Sequence, residues 1–306
     1  MKLSPLPLLP IFLVLLPLAF VASGASPSPV AVEIEEAEYE GRPHFRIRAP
    51  GATWYFDKAG GGFSRLIDRD GSDWIGFRMT PTRGQEAAAG AYRGIPNAVF
   101  GKGNPDAGAG HPGKDRCVST LAGPDLIRTV STSGTWAWTW RFTATHAIFT
   151  MEKADPEHPW WFLYEGPPAG RFAPRQQYWG TDLGGPYRVV AQTGTVAGHW
   201  RWVYFGDDDA PRVLFVAQTG AADAIEDSFR YMGATDAGLD APDGMAVFGF
   251  GRAGVRPGLK GAGLEFRVGL VEMPVPDSTA HTQLADKITR ILHYTAGGLD
   301  GGKSSE

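Results

Sequence analysis

Cysteine is all but missing from this chain: Cys117 is the single one in 306 residues. One thiol cannot close an internal disulfide or build a multi-cysteine zinc site, so the fold must be held by burial. Cys117 itself is expected in the core, as a small apolar side chain. Several enzyme signatures are absent too. There is no G-x-S-x-G elbow, no HExxH, no P-loop lysine motif, and no dinucleotide-type glycine pattern at a strand-to-helix junction. Basic patches and basic tails are lacking and the formal net charge is −4, which argues against nucleic acid as a partner. Past the first two dozen residues no apolar run is long enough to span a bilayer as a helix. No repeat of roughly 20 to 50 residues recurs, which speaks against propellers and solenoids.

The start of the chain has the one long apolar run. Met1 and Lys2 precede Leu6 to Val21, which is broken by Pro7, Pro10 and Pro17 and followed by the small residues Ala22-Ser23-Gly24-Ala25. A short apolar stretch with a positive start and a small-residue end has the form of a cleaved signal peptide, here residues 1–25. Its prolines would leave backbone groups unpaired in lipid, so a retained anchor fits less well. The expectation is a secreted or periplasmic protein with no membrane attachment after cleavage. Residues 26–44 are expected to form a linker and first strand, 45–296 one β-sandwich domain ending in a helix, and 297–306 a flexible tail. The mature part, about 280 residues, is within the size range of large sandwiches and barrels.

Period-2 patterns dominate the domain. Val30–Glu38, Phe45–Arg48, Trp54–Asp57 and Phe63–Asp68 read as strands, the last two joined as a hairpin across Gly60-Gly61-Gly62. Trp74–Met79, His146–Glu152, Trp160–Glu165, Val189–Gln192, Trp200–Phe205, Val213–Ala217, Met245–Phe250 and Leu264–Val271 read likewise. Trp136, Trp138, Trp140 and Phe142 lie two apart and so share one sheet face. Residues 83–114 break the pattern as a long Gly-, Ala- and Pro-rich excursion, of the kind that is usually functional when it is ordered. One amphipathic helix is predicted over Thr279–Tyr294, capped by Asp277 or Ser278, with Leu284, Ile288, Ile291 and Leu292 on its apolar face. Together these predict an all-β fold: a large two-sheet antiparallel sandwich with one C-terminal helix and a curved sheet able to hold a ligand.

Chemistry-bearing residues collect in and after the excursion. Aromatic residues make up 12% of the chain, and Trp160, Trp179 and Trp200 are candidate platforms for sugar rings, with core packing as the competing role. Arg93 and Arg171 are candidates to hold a carboxylate or sulfate, and Asn97 to hydrogen-bond a substrate. His111 can move a proton near neutral pH, or simply bond nearby backbone. Glu165 ends an apolar strand beside a loop and is a candidate acid or base. Asp182 is a second carboxylate with which it would have to pair in glycoside hydrolysis. Tyr178, or Tyr92, beside an Arg or Asn would instead suit proton abstraction next to a uronate carboxyl. Ion pairing with structural arginines is the competing account of both acids. No cofactor is expected. The triplet Asp207-Asp208-Asp209 is the one place for calcium, and such a loop tip is more often solvated.

The hairpin ending in GGGFSRLIDRDGSDWIGF, the YRGIPN loop, HPG, the WTWRF strand and WWFLYEG resemble the galactose mutarotase-like superfamily. The likeness runs from Phe45 to Val271. It implies a β-supersandwich with Arg93, Asn97 and His111 lining a sugar pocket. The sequence departs from the aldose epimerases in two respects: His199 does not sit in a matching motif, and neither Glu265 nor Glu272 stands where their glutamate base does. The resemblance therefore points to an exported polysaccharide-processing protein, lyase-like or hydrolase-like, with His111, Tyr178 and Glu165 as its catalytic set. The alternatives are a non-catalytic glycan-binding module and a structural envelope or interaction protein.

Overall fold

Seventeen strands and a long C-terminal helix are found in a computed structural model that describes residues 32–79, 90–101, 103–220, 226–232, 238–241, 243–252 and 258–293. The expected signal peptide and tail, and part of the excursion, lie outside the described residues. The first sheet is a meander of β1 (Glu33–Tyr39), β2 (Arg42–Ala49), β3 (Ala52–Asp57) and β4 (Gly62–Asp68). The segment expected as linker and first strand thus supplies β1 and the start of β2. The chain continues through β5 (Cys117–Gly123), β6 (Leu126–Ser131), β7 (Ala137–Phe142), β8 (His146–Lys153), β9 (Phe162–Gly166), β10 (Gln177–Thr181), β11 (Gly184–Arg188) and β12 (Gly194–Val196). Then come β13 (Trp202–Asp207), β14 (Val213–Gln218), β15 (Asp227–Met232), β16 (Met245–Phe250), β17 (Glu265–Val271) and helix α1 (Ser278–His293).

Nine strands form one antiparallel sheet in the order β11-β10-β13-β14-β17-β8-β7-β6-β5, and four form another in the order β12-β15-β16-β9. The two four-stranded sheets pack on the same face of the nine-stranded one. Phe63 meets Trp140 with ring centres 4.6 Å apart, Phe162 stacks on Phe266 at 4.2 Å, and Trp179 stacks on Phe229 at 4.8 Å. A seam from the excursion joins the two small sheets side by side. Phe63 N–H donates to Ile95 O at 2.7 Å, while Gly94 and Glu165 exchange both backbone bonds at 2.8 and 3.0 Å. The result is the all-β sandwich that the alternation predicts, with its second layer assembled from two pieces.

The 136/138/140/142 row faces inward, and all four side chains are buried. Cys117 is buried as well, and burial pushes its thiol up to about 12, which keeps it an un-ionised, inert core residue. On the far side of the nine-stranded sheet, α1 lays Leu284 and Ile288 over Tyr178, Tyr204, Val213 and Phe215. Asp277 is its cap, its Oδ1 accepting from Ala280 N–H at 2.9 Å.

Two predicted strands are not strands. Trp74–Met79 runs irregularly because its backbone bonds are local returns to β4, Trp74 N–H to Leu66 O and Phe77 N–H to Ser64 O. Val189–Ala191 is a single 3-10 turn. A buried arginine ties the first sheet to the nine-stranded sheet through one buried and two exposed carboxylates. Arg212 reaches Asp68 at 2.6 Å, Asp70 at 2.8 Å and Glu272 at 3.1 Å. Burial alone would raise the Asp68 carboxyl, but the Trp74 indole, the Arg212 guanidinium and the Ser72 amide hold it below its usual value. Among the described residues no helix is long and apolar enough to cross a membrane.

Candidate active site

The described part of the excursion folds back onto the β3–β4 turn, and the glycine triplet there makes this possible. Gly110 N–H donates to Gly60 O at 2.8 Å, and a Cβ on Gly62 would stand 2.4 Å from Gly110 O. Only a residue without a side chain lets the two backbones approach so closely. Gly94 is similar: a Cβ there would stand 2.6 Å from the Pro112 ring and 2.7 Å from Asn97 Oδ1. The loop so anchored brings Tyr92, Asn97 and His111 to the outer face of β9.

Glu165 is the centre of the cluster. Residues 161, 163 and 165 alternate outward, so Trp161, Leu163 and Glu165 share the face turned away from the core. Val247 pairs with Glu165 across the strands and Leu163 precedes it by two, and both are fully buried. This apolar setting, with Glu165 half-buried, pushes its carboxyl up to about 8; burial is the main cause, Arg252 opposes it, Asp227 adds to it, and Asn97 opposes it. Asn97 Nδ2 donates to Glu165 Oε2 at 2.6 Å. Asn97 holds a left-handed φ of 53°, and its Oδ1 is buried without a partner. At neutral pH Glu165 is therefore mostly protonated, a carboxylic acid able to donate.

His111 lies on the same loop as Asn97, and the Pro112 ring next to it flanks Gly94 together with Asn97 Oδ1. His111 Nδ1 is 2.7 Å from Pro112 O, and since a carbonyl can only accept, the neutral ring carries its proton on Nδ1. Nε2 is buried close to the Tyr92 backbone with no hydrogen bond of ordinary length, and the exposed Tyr92 ring stands edge-on to the imidazole with centres 6.1 Å apart. Burial lowers the imidazole to about 4, so it is neutral wherever Glu165 is protonated at physiological pH. Trp161 closes the other side, half-buried. Its indole N–H donates to Asn97 O, and its ring stacks on Phe100 at 3.6 Å and 5°.

Asn97 and Glu165 are in contact and His111 shares the loop of Asn97, while the other candidates lie elsewhere or are otherwise engaged. Arg93 is adjacent yet inward, with its guanidinium taken up by Gly76 O, Gly244 O and Asp243. It fixes the loop rather than facing a ligand. Arg171 is occupied by Asp207 at 2.7 Å and Asp209 at 2.6 Å, while Arg188 pairs with Asp208 at 2.7 Å. These pairs also account for the acidic triplet without a cation. Tyr178 is on the other side of the nine-stranded sheet under α1, its hydroxyl accepting from Val275 N–H. Asp182 accepts from Arg201 N–H beyond β10, remote from β9.

The three tryptophans proposed as platforms are core residues. Trp160, Trp179 and Trp200 are 0, 2 and 2% exposed, wedged between the layers against Phe266, Phe229 and Phe248. The available indole is Trp161, missed although its signal was legible: it lies four residues before Glu165 and shares its strand parity. Arg252 and Asp227 were also missed, because β15 and the turn after β16 meet only in three dimensions. Asp227 is buried, accepts from Ser228 N–H and Gly249 N–H, and lies 3.3 Å from Arg252 Nε.

Elsewhere, a cavity of about 330 Å³ opens between the β7–β8 turn and the last turn of α1, lined by Thr143, Ala144, Thr145, His146, Arg290 and Ile291. None of the candidate residues lines it.

No protein-family model matches the chain, and no curated protein is similar to it. Solved structures do align. HI1317 matches over 80% of this chain and 98% of its own, with a TM-score of 0.50 and 11% identity. The fold is shared. YeaD of Salmonella typhimurium, described as a "putative mutarotase", aligns over 78% of this chain and 94% of its own at TM-score 0.47 and 9% identity. A YidC insertase covers 86% of this chain with 47% of its own, at TM-score 0.40 and 11% identity. At 11% identity the likeness to HI1317 concerns architecture only.

Proposed function

We propose that this is an exported carbohydrate-binding protein of the mutarotase-like superfamily whose sugar site is the outer face of β9. The observation that carries the reading is Glu165: a half-buried carboxyl, raised to about 8 and held by Asn97, beside an aromatic wall and a neutral histidine. Trp161 and Tyr92 offer ring faces and edges to sugar C–H groups, and Asn97, Glu165 and His111 supply the polar contacts that fix hydroxyls. Export rests on the apolar start of the chain, and N-terminal sequencing of the protein recovered from the cell envelope or medium tests it.

Proton transfer to or from a bound sugar is the chemistry the cluster favours. A protonated Glu165 can donate to a ring or leaving-group oxygen, and a neutral His111 can accept through Nε2 once that buried atom is uncovered. Two-carboxylate hydrolysis fits less well, since Asp227 is committed to backbone amides and Arg252. Elimination from a uronate would lack both Tyr178 and Arg171, and would have to rest on Tyr92 beside Asn97. The test is a glycan panel scored for binding, for anomer interconversion, for new reducing ends and for unsaturated products. Glu165→Gln keeps the size and a donor, so it should retain glycan while turnover falls about 10²- to 10⁴-fold. Binding without turnover in the wild type would leave a non-catalytic module, and no glycan bound would overturn the reading.

A further inference from the structure

We propose that β5 is a self-pairing edge through which two copies of this chain join their nine-stranded sheets about a two-fold axis. The layers have four open edges among the described residues: β1, β11, β12 and β5. Three of them are blunted in the ways that keep edges from pairing. β1 carries Glu33, Glu35, Glu36 and Glu38, β12 is three residues long, and β11 contains Pro186, which has no N–H to give. β5 differs. Its seven residues, Cys117–Gly123, include no charge and no proline, and Val118 and Leu121 are 63 and 46% exposed. A bulge interrupts its ladder only at the end, between Leu121 and Gly123. Cys117 N–H is taken by Ala59 O at 2.8 Å, and past it the outer rim of this strand offers backbone donors and acceptors together with apolar side chains, which is chemistry that an extended strand satisfies.

The occupant follows from what each edge can accept. A strand without charge meets no like charge when it pairs antiparallel with itself. Pairing β5 with β1, β11 or β12 of another copy would meet glutamates, a missing donor or too short a ladder, and would also build an open chain rather than a closed pair. In the two-fold arrangement the start of one β5 lies beside the end of the other. The exposed Arg116 of each copy is thereby carried toward the Pro124–Asp125 turn of its mate, where Asp125, already paired with Arg141 at 3.0 Å, is opposite in charge. The site on β9 is in the other layer, so this pairing does not depend on the sugar reading.

Sedimentation equilibrium of the mature full-length chain over a wide dilution series should give twice the monomer mass, and backbone amides of 118–122 should exchange more slowly as concentration rises. Val118→Lys puts two lysines into one interface and should lower association at least tenfold while leaving the thermal unfolding curve in place, since Val118 is exposed. Arg116→Glu should weaken it several-fold. A monomer at every concentration overturns the proposal. So does a dimer that Val118→Lys leaves intact, or an open series of polymers in place of a dimer.

Discussion

Two acids in this molecule, one buried and one half-buried, have opposite fates. Asp68 and Glu165 both sit against apolar neighbours, but Asp68 touches the Arg212 guanidinium at 2.6 Å whereas Glu165 is held only by the Asn97 amide. The first is kept below its ordinary range and the second is raised to about 8. A direct cation turns a buried carboxylate into a structural tie between sheets. An amide donor cannot neutralise it, and leaves an acid that still holds its proton when a ligand arrives.

The comparison can be broken by removing the cation. Arg212→Ala leaves the Asp68 carboxylate buried with only dipoles for company, and should cost about 3–5 kcal/mol in urea unfolding. Trp160→Ala, which opens a cavity between the layers, should cost a similar amount, about 3–5 kcal/mol. The paired substitution Trp161→Ala should instead weaken glycan binding about tenfold with a smaller loss of stability, in keeping with an aromatic contact of about 0.5–1.5 kcal/mol. Calorimetry with a bound glycan reads the first effect and thermal melting the second.

Titration sharpens the same contrast. Glu165 binds its proton more tightly folded than unfolded, so the unfolded chain holds fewer protons between its ordinary value of 4.5 and about 8. Stability should fall as pH rises through that window and level off above it. Glu165→Gln should remove this decline, so that variant and wild type differ most at the alkaline end. Asp68 has the reverse sign. Its contribution is present above the unfolded value of 3.8 and is lost on acidification below it, and Asp68→Asn should flatten that acid limb. Urea midpoints measured across pH for the two variants check both signs.

Alternation along single strands made much of this architecture readable from the residues alone. The Trp138–Phe142 face, the β3–β4 hairpin and the Asp277-capped helix all follow from periods of two or from end signals spaced by three and four. The site was readable only where its parts were local. Asn97 and His111 belong to one loop, and Glu165 marks a strand end. The sequence does not say which side of a strand is the inner one, so Trp160 and its neighbour Trp161 read as equally available until the sheet places Trp160 in the core. Tyr178 and Arg171 look as available as Tyr92 and Arg252 until the sheet order puts one pair under α1 or against Asp207 and the other pair near Glu165.

The seam at residues 94–96 has a mechanical consequence. It is the bridge by which β4 and β9 are laced into one layer, and Asn97 stands at one bank of it with Glu165 on the other. Any small molecule that grips both side chains acts as a rivet across that junction. Occupancy and the cohesion of the layer then rise together, and a nick in the backbone at the junction would loosen the ligand and the two half-layers at once.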